Sequence, residues 1–323
     1  MNIFITGVAG FIGSHLADKF IDNGHNVLGL DDLSTGSLKN IDHLLNNPRF
    51  QFINNTILNK EIVNDLVLKS DLIYHLAAVV GVNLIMEQPL NTLKVNVIGT
   101  EILLEASHKY NRKIILASSS EIYGRGVNKE FNEKDDRLIG PINNIRWGYA
   151  SSKTIDEFFA FSYFIEHNLP VSIARLFNTV GPRQTGNYGM VLPRFISQAL
   201  KGDMITVYGD GKQTRCFCNV KDVIDALDIL GKNSKANGEV FNVGSKNEIS
   251  MFDLAKFVIK KTNSISEIKF VPYSKIFSSG FEDMKRRKPD ISKIKNYFNW
   301  KPSITLESSI NQIIKFFKIN QKC

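Results

Sequence analysis

A short apolar segment, residues 3–6, runs directly into a turn that contains Gly7, Gly10 and Gly13. The apolar spacing of residues 14–23 then predicts a helix. A strand, a glycine-rich turn and a helix in this order leave the first N–H groups of the helix free to bind an anion. No other feature of the 323 residues constrains the fold as strongly, because the glycines have a defined role only between a strand and a helix.

An alternation of strands and helices continues through the first half of the chain. Short apolar runs predict buried strands at residues 27–30, 72–76, 114–118 and 171–176. Apolar residues spaced by three and four predict helices at residues 62–68, 91–110 and 149–168. Because alternating strands and helices form a parallel sheet covered on both faces, we expect an α/β fold with a Rossmann-like, doubly wound parallel sheet.

The glycine turn predicts a dinucleotide site. Gly7 permits the tight turn, Gly10 lets the backbone approach a pyrophosphate, and Gly13 allows the helix to pack closely on the strand. Asp31 ends the second predicted strand, where a carboxylate accepts hydrogen bonds from the adenosine ribose. Asp32 adds a negative charge where a 2′-phosphate would lie, so the pattern favours NAD over NADP.

The end of the strand at residues 72–76 also points to the cofactor. Leu76, Ala77 and Ala78 follow this strand at the sheet edge that the cofactor crosses. The small side chains of the two alanines would let a ribose lie against the backbone, although core packing alone also explains them.

The pattern weakens after about residue 180, and we expect two domains. Residues 1–180 form the NAD-binding domain, and residues 181–323 form a smaller α/β lobe that binds the substrate. In this lobe the sequence predicts a strand at residues 240–243 and helices at residues 192–201, 253–261 and 308–318. The chain has 40 Lys and Arg residues against 32 Asp and Glu residues, and the basic excess lies in the second part.

Tyr149 and Lys153 form a candidate catalytic pair. A lysine four residues after a tyrosine lies on the same face of a helix, where its ammonium stabilises a phenolate and can hold the ribose of the cofactor. The spacing by itself is weak evidence, because it occurs at residues 149/153, 208/212 and 297/301. Only the first pair begins a long predicted helix in the NAD-binding part.

The predicted strand at residues 114–118 delivers Ser119, Ser120 and Glu121 to the same edge of the sheet. A serine hydroxyl there can share a substrate proton with Tyr149. Glu121 is the more informative residue, since a carboxylate beyond the serines could remove a carbon-bound proton next to a ketone. A solvated turn residue is the alternative for Glu121.

Taken in this order, the glycines, Asp31, the serine run and the Tyr149/Lys153 pair resemble the extended short-chain dehydrogenase/reductases that modify nucleotide-diphosphate sugars. The resemblance covers nearly the whole chain, because residues 175–183, 207–215 and 286–290 are similar to the sugar-nucleotide segments of that family. It implies NAD as a tightly held cofactor and a UDP-sugar as substrate.

The resemblance also assigns individual residues. It implies that Ser119, Tyr149 and Lys153 carry out oxidation at the sugar C4, with Ser120 and Glu121 beside them. The residues it assigns to the substrate are Asn178, Arg215 and Arg287 for the diphosphate, and Leu192 and Tyr208 for the nucleoside. The further residues it assigns to NAD are Phe11, Ile12, Leu76 and Asn96.

Three reactions of this family begin with the same 4-keto sugar. Glu121 favours a 4,6-dehydratase, and we expect UDP-N-acetylglucosamine as its substrate, with UDP-glucuronate decarboxylation or 4-epimerisation as alternatives. Two positions depart from the pattern of dehydratases: Ser120 stands where many carry an aspartic acid, and Thr56 where relatives carry an aspartate that holds adenine. A dinucleotide sensor without catalysis is a remote alternative, because it would not need Tyr149 and Lys153.

The remaining expectations concern partners and location. Residues 285–288 form a basic tract without interleaved aromatics, so we expect no nucleic-acid partner. No apolar run reaches the length of a membrane span and no secretion signal is recognisable, so we expect no membrane partner and a cytoplasmic location.

The spacing of Cys216, Cys218 and Cys323 suits neither a metal site nor a redox pair. Helices 91–110 and 149–168 are expected to pair in a homodimer.

Overall fold

The computed structural model of the protein describes residues 1–126, 128–186, 189–276 and 282–320. Its strands, in chain order, are β1 (Asn2–Thr6), β2 (Asn26–Asp31), β3 (Phe50–Asn54), β4 (Leu72–His75), β5 (Lys113–Ser119), β6 (Val171–Leu176), β7 (Thr179–Val180), β8 (Ile205–Tyr208), β9 (Thr214–Cys216), β10 (Cys218–Asn219), β11 (Glu239–Val243), β12 (Glu248–Ser250) and β13 (Ile268–Val271). Seven of them form one parallel sheet in the order β11-β6-β5-β4-β1-β2-β3. The order reverses between β1 and β4, which is the point where doubly wound sheets bind their ligands.

The helices that cover this sheet and build the smaller lobe have the following bounds. In chain order they are α1 (Phe11–Asp22), α2 (Lys60–Leu68), α3 (Val82–Glu87), α4 (Pro89–Leu93), α5 (Gly99–Lys109), α6 (Trp147–His167), α7 (Val191–Lys201), α8 (Val220–Lys232), α9 (Met251–Thr262), α10 (Ser292–Phe298) and α11 (Leu306–Asn320). Helices α1 and α8 pack on one face of the sheet, and α2, α5 and α6 pack on the other. The predicted α/β fold with a doubly wound parallel sheet is confirmed.

A separate apolar core holds the smaller lobe together. It is built from buried residues of α7, α9 and α11, among them Leu192, Leu254 and Ile313. The chain also returns from this part to the large sheet, because β11 pairs with β6 and α8 packs against α1. The core on the α1 face of the sheet therefore takes residues from both sides of position 180, whereas the core of the smaller lobe lies from Val180 onward.

The structure differs from the sequence expectations at two places in the first half. Strand β3 was not predicted, because Gln51 and Asn54 interrupt its apolar pattern at the edge of the sheet. The predicted helix at residues 91–110 is divided, since a π-helical turn at Lys94–Ile98 separates α4 from α5. This turn places Asn96 in the buried interior.

Two of the cysteines are buried, and Cys218 belongs to the core between the large sheet and α8. Cys216 and Cys218 are free and buried, and burial raises the pKa of the Cys216 thiol to about 12. Cys323 lies outside the described residues. In the described part of the chain, no helix combines the length and the apolar composition needed to cross a membrane.

Candidate active site

One cavity of about 1060 Å³ lies between the carboxyl edge of the sheet and the smaller lobe. All the predicted site residues line it with the exception of Asn96. The side chain of Asn96 lies behind the wall, where its Oδ1 accepts a hydrogen bond from the Val79 N–H at 2.8 Å and its Nδ2 donates to Ser152 at 3.1 Å. Asn96 therefore fixes the loop after β4 to α6.

The glycine turn has the shape of a phosphate cradle. Gly7 has φ +72°, and a Cβ there would lie 2.8 Å from the backbone nitrogen of Ala77. A Cβ on Gly13 would lie 2.1 Å from the carbonyl oxygen of Gly7. Gly10 directly precedes α1, so the free N–H groups of the helix face the cavity edge. Side chains at Gly7 and Gly13 would collide with the backbone of the turn and of the loop after β4, so this tight turn requires glycine there. A tight turn that leads into the N-terminus of a helix fits the pyrophosphate of NAD.

Asp31 lies at the end of β2 and is nearly buried. Its carboxylate accepts hydrogen bonds from the N–H groups of Ala9, at 2.9 Å, and Leu33, at 2.8 Å. Burial raises the pKa of Asp31, and these two hydrogen bonds oppose the rise. Asp32 follows and accepts from the Ser34 N–H at 2.9 Å. The pair therefore organises the loop that borders the adenosine side of the cavity.

Tyr149 lies in the first turn of α6, beside the last residue of β5. Ser119 hydrogen-bonds the phenol of Tyr149 and also accepts from the Glu121 N–H at 3.2 Å. Burial raises the pKa of Tyr149, the bond to Ser119 lowers it, and Glu121 and Asp156 raise it further. The net result is a raised pKa, whereas the sequence predicted that Lys153 would lower it. The Lys153 ammonium instead pairs with Asp156, at 3.1 Å.

Helix α6 is held in register by a buried carboxylate two turns after Tyr149. Glu157 accepts a hydrogen bond from Ser118 at 2.6 Å. It also forms a bidentate salt bridge with Arg175, with N–O distances of 2.9 and 2.8 Å. Ser118 lies on β5 and Arg175 on β6. These bonds fix α6, which carries Tyr149 and Lys153, relative to β5 and β6.

Glu121 lies between two buried arginines. Arg287 Nη2 is 2.5 Å from Oε1 of Glu121, and Arg146 Nη2 is 3.3 Å from both carboxylate oxygens. Arg146 and Arg215 share Asp283, at 3.2 and 2.8 Å. Three guanidinium groups thus surround two carboxylates, and this end of the cavity keeps a positive charge.

The arginines determine the acidity of Glu121. Burial alone would raise the pKa of Glu121, but the charges of Arg146 and Arg287 outweigh it and lower the pKa to about 2. A carboxylate of this kind is ionised at neutral pH and is a weak base. Ser120 completes this corner of the cavity, since its hydroxyl lies 3.4 Å from Arg287 Nη1.

Sequence reasoning missed two members of this cluster. Arg146 stands three residues before Tyr149, and this helical spacing is the signal that could have placed both on one side of the site. Asp283 follows no recognisable pattern in the sequence. It reaches the cavity only because the chain before the Arg286–Arg287 pair folds back over Arg146.

The other basic residues of the tract at 285–288 point elsewhere. Arg286 pairs with Glu248 at 2.5 Å, and Lys288 pairs with Glu130 at 2.9 Å. Arg286, Arg287 and Lys288 therefore pair with different acidic residues, and Arg287 lines the cavity.

The residues predicted to hold the nucleotide lie on the wall formed by the smaller lobe. Asn178 has φ +28° and donates from Nδ2 to the Cys216 carbonyl at 2.9 Å. Leu192 is fully buried in the first turn of α7. Tyr208 ends β8, and the guanidinium carbon of Arg194 lies 4.0 Å from its ring centroid. Arg215 is close to the cluster around Asp283, as described above.

The fold and the site together define a class of enzyme. A doubly wound sheet with a dinucleotide cradle, a serine–tyrosine–lysine set and a basic second wall is the arrangement of the NAD-dependent extended short-chain dehydrogenase/reductases that modify nucleotide sugars. The family model described as GDP-mannose 4,6 dehydratase matches residues 4–313. The chain belongs to this family.

Curated and solved relatives support the assignment. The chain is 42% identical over 315 residues to UDP-N-acetyl-alpha-D-glucosaminuronate decarboxylase of Bacillus cytotoxicus. This match covers 97% of each of the two chains. It is 37% identical to UDP-glucuronic acid decarboxylase 1 of Xenopus tropicalis, over 98% of this chain and 72% of the relative. The structure of UDP-glucuronic acid 4-epimerase from Bacillus cereus, in complex with UDP-glucuronic acid and NAD, has a TM-score of 0.89 and 29% identity, over 99% and 100% of the two chains. The protein is an NAD-dependent enzyme of the nucleotide-sugar dehydratase, decarboxylase and epimerase family.

Proposed function

We propose that the protein decarboxylates a UDP-linked hexuronic acid through a 4-keto sugar, with UDP-N-acetylglucosaminuronate as the first candidate. The observation that carries this proposal is the arginine cluster beside Tyr149, in which Arg146, Arg215 and Arg287 outnumber Glu121 and Asp283. The two decarboxylase relatives support it.

The cluster suits a substrate carboxylate. Arginine forms forked, charge-assisted hydrogen bonds with carboxylates, and these are strongest where water is excluded. Arg287 contacts Ser120 and Glu121 and lies close enough to Tyr149 to affect its pKa. We therefore assign Arg287 to the carboxylate on the sugar C5 and not to the diphosphate, for which the sequence first suggested it. Asn178 and Arg215 remain the proposed diphosphate contacts, and Leu192 and Tyr208 the proposed nucleoside contacts.

The chemistry follows from the position of the ketone. NAD held in this cradle would supply the oxidant at the sugar C4 and later the reductant, and its positive nicotinamide would favour the Tyr149 phenolate that burial disfavours. As a phenolate, Tyr149 takes the proton of the C4 hydroxyl, and Ser119 orients that hydroxyl. With a ketone at C4, the C5–C6 bond breaks, carbon dioxide leaves, and its electron pair forms an enolate that extends to the C4 oxygen. A proton added at C5 then restores the ketone, so the reaction consumes one proton and needs no base at C5.

The pairing of Glu121 weighs against the other two outcomes. The 4,6-dehydration that the sequence favoured requires Glu121 to remove the C5 proton, and a carboxylate with a pKa of about 2 between Arg146 and Arg287 is poorly suited to that step. A 4-epimerase must let the keto sugar rotate, and a carboxylate held by Arg287 resists rotation. Decarboxylation is the outcome that uses the arginines as they are placed.

A parallel assay tests the proposal. The purified chain with NAD is incubated with UDP-N-acetylglucosaminuronate, UDP-glucuronate or UDP-N-acetylglucosamine, and the masses of the products are measured by mass spectrometry. We expect a uronate to lose the mass of carbon dioxide, with the N-acetylated sugar the better substrate. Loss of water from UDP-N-acetylglucosamine, with both uronates unchanged, would contradict the decarboxylase and support the 4,6-dehydratase instead.

We also infer that the protein forms a homodimer through α6. Four apolar side chains at helical spacing are exposed on this helix, namely Ile155, Phe158, Phe161 and Ile165, with Phe158 60% and Ile165 63% exposed. Leu90 and Leu93 of α4 are exposed as well. A patch of this kind on two adjacent helices favours a second copy that covers it.

Substitution of Phe158 by Glu should convert a dimer into a monomer, because it places a charge in the centre of the apolar patch. Light scattering is expected to give twice the chain mass of 36.4 kDa for the wild type and the single mass for the variant. A wild-type protein that is monomeric at micromolar concentration would exclude this dimer.

A further inference from the structure

We infer that Asp156 is the positioning residue for Lys153, and that a buried chain of hydrogen bonds runs from the cavity wall to Thr100, beside this pair. Both side chains are buried, Asp156 completely and Lys153 with 3% exposed. The ammonium of Lys153 lies 3.1 Å from Oδ2 of Asp156, three residues later on α6. The inference rests on the family chemistry of Tyr149 and Lys153 and holds for any of the three reaction outcomes.

The chain of hydrogen bonds begins at the cavity wall. The hydroxyl oxygen of Thr6, at the end of β1, accepts from the N–H groups of Leu76 and Ala77, at 3.2 and 3.1 Å. Because a hydroxyl has two lone pairs, both acceptor sites of Thr6 are used, and its proton must point to its third partner. That partner is Nδ1 of His75, at 2.8 Å.

The tautomer of His75 follows from this geometry. Burial, and next the charge of Lys153, lower the pKa of His75 to about 3, so the ring is neutral and has one N–H. Since Nδ1 accepts from Thr6, the proton lies on Nε2 and is donated to the hydroxyl oxygen of Thr100, at 2.9 Å. Thr100 is left with its own proton to donate.

Asp156 lies beside that last proton donor. Burial raises the pKa of Asp156, whereas the charge of Lys153 and then the neighbouring Thr100 lower it. The donors thus run in one direction, from the backbone of the cavity wall through Thr6 and His75 to Thr100, next to the carboxylate. The direct partner of the buried carboxylate is the ammonium of Lys153, so Asp156 fixes where that ammonium lies, and its charge also acts on Tyr149.

The pH dependence should report this role. Tyr149 must lose its proton to act as a base, and the negative charge of Asp156 raises its pKa. Removing that charge therefore moves the acid limb of kcat/KM to lower pH, by about half a unit to one unit. Other groups face Asp156, Lys153 or Tyr149. Around Asp156 and Lys153 these are Glu157 on α6, Thr100 on α5 and His75 on β4. Around Tyr149 these are Ser119 and Glu121 at the end of β5, and Arg287.

Asp156→Asn is the test, with Asp156→Glu as the conservative rescue. Asp222→Asn is the control for loss of a buried carboxylate that does not line the cavity and bonds Ser303 instead. We expect Asp156→Asn to weaken NAD binding, measured by calorimetry, about tenfold, because the ammonium is no longer held, and to move the acid limb to lower pH. Asp156→Glu should restore both readouts in large part, and Asp222→Asn should lower thermal stability and move neither.

Thr100→Val is the second variant, since it breaks the chain without changing a charge. It should weaken NAD binding about threefold and leave the acid limb in place. The inference is overturned if Asp156→Asn keeps wild-type NAD affinity and acid limb, if Asp222→Asn moves both equally, or if Thr100→Val is without effect. Should Asp156→Asn not fold, the Thr100→Val and Asp156→Glu results decide. Because NAD binding is measured without substrate, the outcome does not depend on the identity of the sugar acid.

Discussion

Replacement of Tyr149 by Phe is expected to lower kcat by about 10²- to 10⁴-fold, the range that a positioned general base contributes. The variant keeps the ring that packs in the first turn of α6 and removes only the hydroxyl that Ser119 contacts. The protein should therefore fold as before and retain NAD, while C4 oxidation becomes the slow step. Stopped-flow measurement of NADH absorbance after mixing with the UDP-sugar checks this directly.

Tyr297 supplies a matched control for this substitution. It is also followed by a lysine after four residues, but its side chain is half exposed, lies in α10 and does not line the cavity. Tyr297→Phe should leave the rate of NADH formation unchanged. If Tyr149→Phe were as active as Tyr297→Phe, Tyr149 would have no part in the oxidation.

Replacement of Arg287 by Gln should abolish most of the decarboxylation, with a loss in kcat/KM of about 30- to 5,000-fold. Truncation of one partner of a buried, hydrogen-bonded charge pair costs about 2–5 kcal/mol, which corresponds to this loss. Two effects combine, because the sugar carboxylate loses its forked partner and Glu121 keeps only Arg146. Release of carbon dioxide from the carboxyl-labelled uronate measures the loss.

The adjacent Arg286 is the control for Arg287. Its side chain is 42% exposed and pairs with Glu248 outside the cavity, so Arg286→Gln should retain nearly full activity. Arg287→Lys should be intermediate, since lysine supplies the charge without the planar fork. Wild-type release of carbon dioxide by Arg287→Gln would remove the arginine from the proposed chemistry.

The sequence predicted the parts of the molecule that depend on local pattern. The glycine turn, Asp31 and Tyr149 stand next to strand or helix ends whose periodicity is clear, and each lines the cavity. Strand β3 and the π-turn at Lys94–Ile98 were missed. An edge strand is only half buried, and a π-turn adds only one residue to a helical turn, so the apolar residues on either side of it still predict one helix.

The partners of the catalytic residues were harder to predict, because they come from distant parts of the chain. Asp283 reaches Arg146 across 137 residues, and His75 reaches Thr100 from another layer of the fold. Asp156 is close to Lys153 in sequence, yet an acidic residue on an amphipathic helix ordinarily predicts a solvated face. Only the packing of α5 against α6 shows that this carboxylate is buried.

The proposed reaction combines a reversible hydride transfer at C4 with loss of carbon dioxide from C5. One labelling experiment follows both steps. UDP-N-acetylglucosaminuronate that carries deuterium at C4 is converted by the enzyme in ordinary water, and the product is examined by mass spectrometry and NMR. We predict a pentose product that has lost carbon dioxide and has its deuterium back at C4. A product that keeps its carboxyl carbon, whether epimerised at C4 or unchanged, would contradict decarboxylation by this site.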